Sequence, residues 1–400
     1  MRRSRHSRSI YKLMEKQLRL AVVGLGNMGS AHALSIHSGQ VRDGVLTAVC
    51  DIAPSRRQWA EDTLTGVAIF ETYDDLLAAE VADAIVIATP HYFHPPMAIA
   101  AFERGLHVLS EKPGGVQVSA VERMCAAAKA SGKVFGVMFN QRTHPLFARA
   151  RAIVRGGELG DLKRVQWTAT NWYRDQEYYN SGGWRASWAG EGGGVLINQA
   201  PHQLDLLQWI CGMPTAVWAD CAVGKYHRIE VEDDVTIFAK YDNGATATFI
   251  TTTGEYPGTN RLEIAGTHGK LVLEDNKLRF WKLPKSEREF CFDGDVPAVE
   301  YAEITPTEQE SAHNGILRNF TNAILHGEEL LAPGYDAVQE LTLSNAAYLS
   351  AWTGETITLP LDTARFDALL AQRIAASSYR SDKVTEEADG VYKDRWNVNW

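Results

Sequence analysis

The stretch EGGGVLINQAPHQLDLLQW, Glu191 to Trp209, sets Asn198, His202 and Asp205 into an otherwise apolar run. Spacings of four and three put these side chains on one face of a helix, with Trp209 a further turn along. Leu196, Ala200, Leu204 and Leu207 make a second, apolar stripe that would face a core. Pro201 fits only the first turn of such a helix, or a kink. Asn198 reads well as an N-cap. His202 and Asp205 have no such simple reading: an imidazole beside a carboxylate can hold, orient and move a proton. The polar face is either a satisfied core network or part of a reaction centre. Upstream, Lys112 stands between Glu111 and Pro113 at a predicted strand end. A lysine there is either a surface cation or, if burial lowers its pKa, a proton acceptor.

A third candidate spans residues 167–188. Trp167, Trp172, Tyr173, Tyr178, Tyr179, Trp184 and Trp188 are interleaved with Asn171, Arg174, Asp175, Gln176, Asn180 and Arg185. Apolar ring faces beside planar polar groups suit a pyranose, which has C–H faces and a rim of hydroxyls. An aromatic core or a subunit contact is the plainer alternative. Arg174 and Arg185 would also suit a carboxylate or sulfonate on a sugar.

These residues need elements to position them. LRLAVVGLGNMGSAH is a short apolar strand, a glycine turn and the start of a helix, with Gly24, Gly26 and Gly29 as GxGxxG. The glycines allow a tight turn and close approach of the backbone to a pyrophosphate, and the helix N-terminus favours negative charge. A second strand, VLTAVCD, ends at Asp51, where a carboxylate accepts ribose hydroxyls and repels a 2′-phosphate. This predicts a dinucleotide site for NAD, with NADP the less favoured alternative. Arg56 and Arg57 could hold a 2′-phosphate but are expected on a solvated helix face. Strand–helix alternation continues through VAIF, ADAIVIATP, HVLSEKP and KVFGVMF, which predicts a parallel, doubly wound sheet with ligands at its carboxyl ends. Ser119 and Glu122 are spaced as a capping box.

After Asn140 the pattern changes. DDVTIFAKY, a DNG turn and ATATFITTT predict a hairpin, as do NRLEIAG and KLVLE around THG. Consecutive hairpins predict a mainly antiparallel sheet. ESAHNGILRNFTNAILHG and GYDAVQELTLSNAAYLSAWTG read as amphipathic helices packing back on it. The expected division is a basic leader, 1–17; a dinucleotide-binding domain, 18–140; a substrate and oligomerisation α/β domain, 141–380; and an irregular tail, 381–400.

The totals narrow the functional classes. Four hundred residues suggest two domains, and a net charge of −9 disfavours nucleic acid and anionic membranes as partners. Residues 1–19 carry +6 of that balance without an apolar signal core, and no run is long enough to span a membrane. The five scattered cysteines predict reduced thiols in a cytoplasmic protein, with no metal site.

GxGxxG at Gly24 to Gly29, ATPHYFH, EKP, GGELGDLKRV and GGGVLINQAPHQLDLLQW occur in the order and spacing of the Gfo/Idh/MocA oxidoreductases, which the chain resembles over residues 18–360. The resemblance implies a Rossmann domain, then an α/β domain whose open sheet covers the nicotinamide. It also implies NAD(P)-dependent redox chemistry on sugars and cyclitols, in dimers or tetramers. It implies Lys112 and His202 as acid–base residues. Many members carry an aspartate where this chain has Asn198, and Asp205 is then the candidate to orient the His202 ring. The expected cofactor set is Gly24, Gly26, Asn27, Met28, Gly29, Asp51, Ala88, Thr89, Pro90, His94, Glu111, Lys112 and Asn140. The expected substrate set is Lys112, Arg142, Trp172, Tyr173, Arg174, Tyr179, Trp184, Arg185, Asn198 and His202. The motif wording resembles a subgroup that oxidises the C3 hydroxyl of glycosides. Two rival readings keep the cofactor: a glycosidase that oxidises C3 transiently, and a non-catalytic nucleotide sensor.

Overall fold

The computed structural model describes residues 17–292, 294–306 and 311–378. The expected leader and tail lie almost entirely outside these residues.

The first sheet is parallel, with strands in the order β3-β2-β1-β4-β5-β6: β1 is Leu18–Val23, β2 Gly44–Cys50, β3 Ala68–Phe70, β4 Ala84–Ile87, β5 His107–Ser110 and β6 Phe135–Val137. The order reverses between β1 and β4, and such a switch point opens a crevice at the carboxyl ends of the strands. Helices cover both faces, so all four residues of β4 are buried, as is expected of a central parallel strand. The expected capping box does not form. The helix Val118–Ser131 has Gln117 as its N-cap, and the Ser119 hydroxyl donates instead to Asp367 at 2.6 Å. A long-range carboxylate has displaced the local partner.

The second sheet runs β14-β13-β12-β11-β7-β10-β9-β8-β15. Its strands are β7 Leu162–Ala169, β8 Ala216–Val223, β9 Glu232–Lys240, β10 Thr246–Thr252, β11 Asn260–Gly266, β12 Gly269–Glu274, β13 Lys277–Lys282, β14 Glu300–Ile304 and β15 Ile357–Thr358. Both predicted hairpins, β9–β10 and β11–β12, are present and antiparallel. Among the described residues of this sheet, only β7 and β10 pair in parallel. The β9 burial alternates residue by residue along most of its length, so one face of the sheet is covered. The helix Ala337–Thr353 packs on β8 and on the helix Pro201–Cys211, which in turn meets the helix Pro145–Arg155.

The other late helix, Ala312–His326, departs from expectation. It packs on the turn Asn140–Thr143 and on the helix Asn27–His37, not on the second sheet. Just beyond it, Pro333 bridges Gly136 at the edge strand β6. None of the helices among the described residues is long and apolar enough to cross a membrane.

One buried ion pair ties these parts together. The Arg142 guanidinium donates to both oxygens of Asp205, at 2.8 and 2.5 Å, to Asp336 at 2.7 Å and to the Leu331 carbonyl at 3.1 Å. It also lies over the rings of Phe139 and Trp209. Arg142 is therefore a strut between elements, with four of its five N–H donors engaged, and it does not line the cleft described below: the expected substrate contact is corrected. Asp205 is corrected too. Its oxygens are taken by Arg142 and Gln208, and neither reaches His202. Removing Asp205 takes the bidentate partner from buried Arg142, leaving it Asp336 alone, and leaves the Gln208 amide without its acceptor. Asp205→Ala should therefore cost about 3–5 kcal/mol, read as a lower urea midpoint with an unchanged slope.

Candidate active site

The β1 turn is built for close approach. A Cβ on Gly29 would run into the carbonyl oxygen of Gly24, so this helix can sit against the turn only with glycine there. Asp51, at the end of β2, accepts Leu25 N–H at 2.6 Å and Ala53 N–H at 2.8 Å. Those bonds leave lone pairs on both oxygens for a ribose diol. Arg57 is not on a solvated face. It donates to the carbonyls of Asp51 and Ile52 and pairs with Glu71, and so closes the loop below Asp51.

A cleft of about 550 Å³ runs from this turn to the second domain. Of the expected cofactor set it is lined by Gly24, Gly26, Asn27, Met28, Asp51, Ala88, Thr89, Pro90, His94, Glu111 and Lys112. Gly29 lies behind the turn as a packing residue. Asn140 is not on the wall, and its buried Oδ1 has no hydrogen-bond partner. His94 lines the cleft, but its ring nitrogens face the carbonyls of Pro113 at 2.8 Å and Thr89 at 2.6 Å. It staples the end of β4 to the Lys112 loop. The glycine turn, the acid at the second strand and the cleft volume fit a dinucleotide.

Lys112 stands on the cleft wall with Trp184, Arg185 and Asn198. Its amine donates to the backbone carbonyl of Asn198 at 3.0 Å. Burial pulls its pKa below the usual 10.5, helped by Arg185 and opposed by Glu111, Glu340 and Glu191. Glu111 is locked by His32, 2.7 Å away, and by the Lys112 N–H at 3.0 Å. Burial works against its charge, but His32, His313 and Lys112 outweigh it and hold the carboxyl down at about 2.

The polar stretch 191–209 is only partly helical. The helix starts at Pro201, with Ala200 as its N-cap, so Asn198 sits on the turn before it and is not the cap. A Cβ on Gly194 would strike the Glu232 carbonyl, which lets the turn pack against β9. Glu232 holds that turn by accepting from Gly194 N–H, Leu196 N–H and the Tyr348 hydroxyl. Burial raises its pKa to about 7. His202 is buried edge-on to Phe139, and its Nδ1 has no hydrogen-bond partner. Burial, with Lys112 and His313, keeps the ring neutral by lowering its pKa well below 6.5.

The aromatic segment divides. Trp167 is core, beside Phe147 and Phe249, and Trp188 packs on Tyr348 and Trp352. Tyr179 is fully buried with its hydroxyl on Thr253, so the expected substrate contact is corrected to a packing role. Trp172 is buried and Tyr173 is exposed against Tyr256; neither lies on the cleft wall. Arg174 lies over the Tyr178 ring, which also carries Arg185. Only Trp184 and Arg185 reach the cleft, and His91 meets the Trp184 ring edge-on.

Three acids escaped the sequence reading. Glu191 opens the polar stretch but is masked by its glycines, Glu232 by the acidic run around it, and Glu340 by a helix otherwise read as amphipathic. Glu340 is fully buried with no hydrogen-bond partner for either oxygen. Burial, with Asp205, raises its pKa well above 4.5 against the pull of Lys112. An acid at that one helical position in an apolar stretch was the available signal.

Residues 18–139 match the family model described as "Oxidoreductase family, NAD-binding Rossmann fold", and residues 147–272 match the "GFO/IDH/MocA C-terminal domain". The uncharacterised oxidoreductase YrbE of Bacillus subtilis (strain 168) is 28% identical over 352 residues, which is 86% of this chain and 98% of that protein. D-glucoside 3-dehydrogenase of Escherichia coli (strain K12) is 29% identical over 199 residues, 49% of this chain and 55% of that enzyme. Among solved structures, the WlbA dehydrogenase of Bordetella pertussis, in complex with NADH and UDP-GlcNAcA, is 29% identical with a TM-score of 0.74. That match covers 86% of this chain and 100% of the other.

Two substitutions test this geometry. Gly29→Ala should weaken NADH binding by on the order of 10²-fold, read by fluorescence titration, because its Cβ displaces the Gly24 turn. Glu340 has a folded pKa above its unfolded one, so stability is fullest at low pH and falls as pH rises past the unfolded value. Glu340→Gln should therefore gain on the parent progressively as pH rises above the unfolded value, by about 1.4 kcal/mol per unit while the folded acid stays protonated, read as a widening gap in melting temperature. Parallel melting curves would refute this.

Proposed function

The chain belongs to the Gfo/Idh/MocA family of NAD-binding oxidoreductases, and from that premise we propose that it is an NAD-dependent dehydrogenase oxidising a ring hydroxyl, at C3, of a sugar or glycoside. The observation that carries this reading is the Lys112 amine on the cleft wall, 3.0 Å from the Asn198 carbonyl and beside Trp184 and Arg185. When bound, NAD supplies the acceptor for the hydride that leaves the carbinol carbon. Gly24, Gly26 and Asp51 hold it, with Ala88 to Pro90 along the cleft.

The protein must deal with the hydroxyl proton. An alcohol does not give it up unaided near neutral pH, so a base has to sit within hydrogen-bond reach. Lys112 is the better placed of the two candidates. Its amine reaches the cleft and burial makes its neutral form accessible, whereas His202 is not on the wall. His202 is kept neutral by burial and by the charge of Lys112, so it is the poorer proton acceptor of the two. Trp184 offers a ring face and Arg185 a planar fork to a polyhydroxylated ring. The D-glucoside in the name of one related dehydrogenase and the UDP-GlcNAcA bound to the other support a sugar derivative as the substrate class.

Absorbance at 340 nm with NAD and a panel of hexoses, glycosides, uronic acids and cyclitols tests the reading. A rise with sugars or glycosides, without aglycone release from aryl glycosides, is expected. Aglycone release at a flat 340 nm trace would make the protein a redox-neutral glycosidase instead. Lys112→Ala should lower kcat by on the order of 10²–10⁴-fold with NADH binding kept. The working form is the neutral amine, so kcat/KM should rise with pH along one limb whose midpoint lies below 10.5.

A further inference from the structure

Glu191 is buried, and its carboxylate accepts the Ala186 N–H at 2.7 Å and the side-chain amide of Asn198. The same Asn198 offers its backbone carbonyl to the Lys112 amine. The second Asn198 amide hydrogen reaches the Tyr178 hydroxyl at 3.3 Å, which Arg185 also meets at 2.9 Å. The Glu191 carbonyl faces Nδ1 of His91 at 3.0 Å. One acid is thus a single side chain removed from the amine on the cleft wall, and the Asn198 that lies between is fixed at both its backbone and its amide.

We propose that Glu191 is a positioning acid for Lys112: acting through Asn198, its carboxylate fixes the carbonyl that holds the amine and supplies negative charge against which the amine gains and loses its proton. Its effect on turnover rests on the dehydrogenase reading; its effect on the lysine does not. Lys112 also feels Glu111 from its own loop, Arg185 from the aromatic segment, Glu340 from the helix Ala337–Thr353 and His202 from the helix Pro201–Cys211. His91, His94 and His313 surround it further. Burial raises the pKa of Glu191 itself, against the pull of Arg185, the Ala186 N–H, Asn198 and Lys112.

The hydrogen-bond pattern allows a reversal. In Glu191→Gln, one of the two donors, Ala186 N–H or the Asn198 amide, is left facing an NH2 group. In Asn198→Asp, two carboxylates face each other at bonding distance and cannot both ionise freely. In the double variant E191Q/N198D, the amide oxygen introduced at position 191 takes the Ala186 N–H, and the amide NH2 beside it donates to the new carboxylate. The charge then moves one side chain nearer Lys112.

The experiment titrates Lys112 in the NAD-free protein by pH-dependent acetylation with acetic anhydride, mapped by mass spectrometry, alongside kcat. Removing the charge in E191Q should lower the labelling midpoint by about one pH unit, and the double variant should bring it to the parent value or above. Both single variants should lose kcat by on the order of 10²-fold, with most of it restored in the double variant. Equal labelling midpoints in the parent, E191Q and the double variant would overturn the proposal, even with kcat rescued, because a mere strut would leave the lysine titration unmoved. If the parent makes no NADH from any sugar, the functional reading fails and the titration alone decides the role of Glu191.

Discussion

Taking a lysine amine out of water has a large desolvation cost, and the arrangement around Lys112 answers to it. The amine is met by a carbonyl from the other domain, so the turn carrying Asn198 has to lie against the Lys112 loop. That turn reaches its place because Gly194 admits the β9 backbone and Glu232 satisfies the N–H groups of Gly194 and Leu196. His94 fixes the loop from the β4 side, and His32 fixes Glu111 beside it. The two domains thus share one electrostatic problem, and the cleft forms where they meet over it.

The acids near this amine show how partners, not proximity, set protonation. Glu111 has a histidine and a backbone N–H and stays charged down to about 2. Glu340 has neither and is driven to the neutral form. Glu191 lies between these extremes: burial raises its pKa, while Arg185, Ala186 N–H, Asn198 and Lys112 pull the other way. Graded carboxyl environments around one amine allow a proton to be held at one position and withheld at another.

The parts of this structure that were legible in the sequence are those fixed by short-range rules. The GxGxxG turn, Asp51 at the end of β2, the parallel alternation and the DNG hairpin each follow from a few neighbouring residues. What could not be read depends on partners far along the chain. Asp205 looked like a companion of His202 because it is three residues away, yet Arg142 claims it from another element. Ser119 looked like a cap until Asp367 took its hydroxyl. Seven aromatics looked like one sugar platform, but packing absorbed most of them and left Trp184 with Arg185 on the wall.

The return of the chain to the first sheet has a consequence for modularity. β6 is the edge strand of the nucleotide-binding half, and it is finished by the Gly136–Pro333 bridge and by the helix Ala312–His326 lying on the turn after it. A cut after the sixth strand would therefore leave an open edge that invites pairing with other chains. Grafting a new cofactor half onto this substrate half, or the reverse, has to exchange the segment from Ala312 to Asp336 together with the first sheet. The two halves are separable in architecture but interlaced in covalent order.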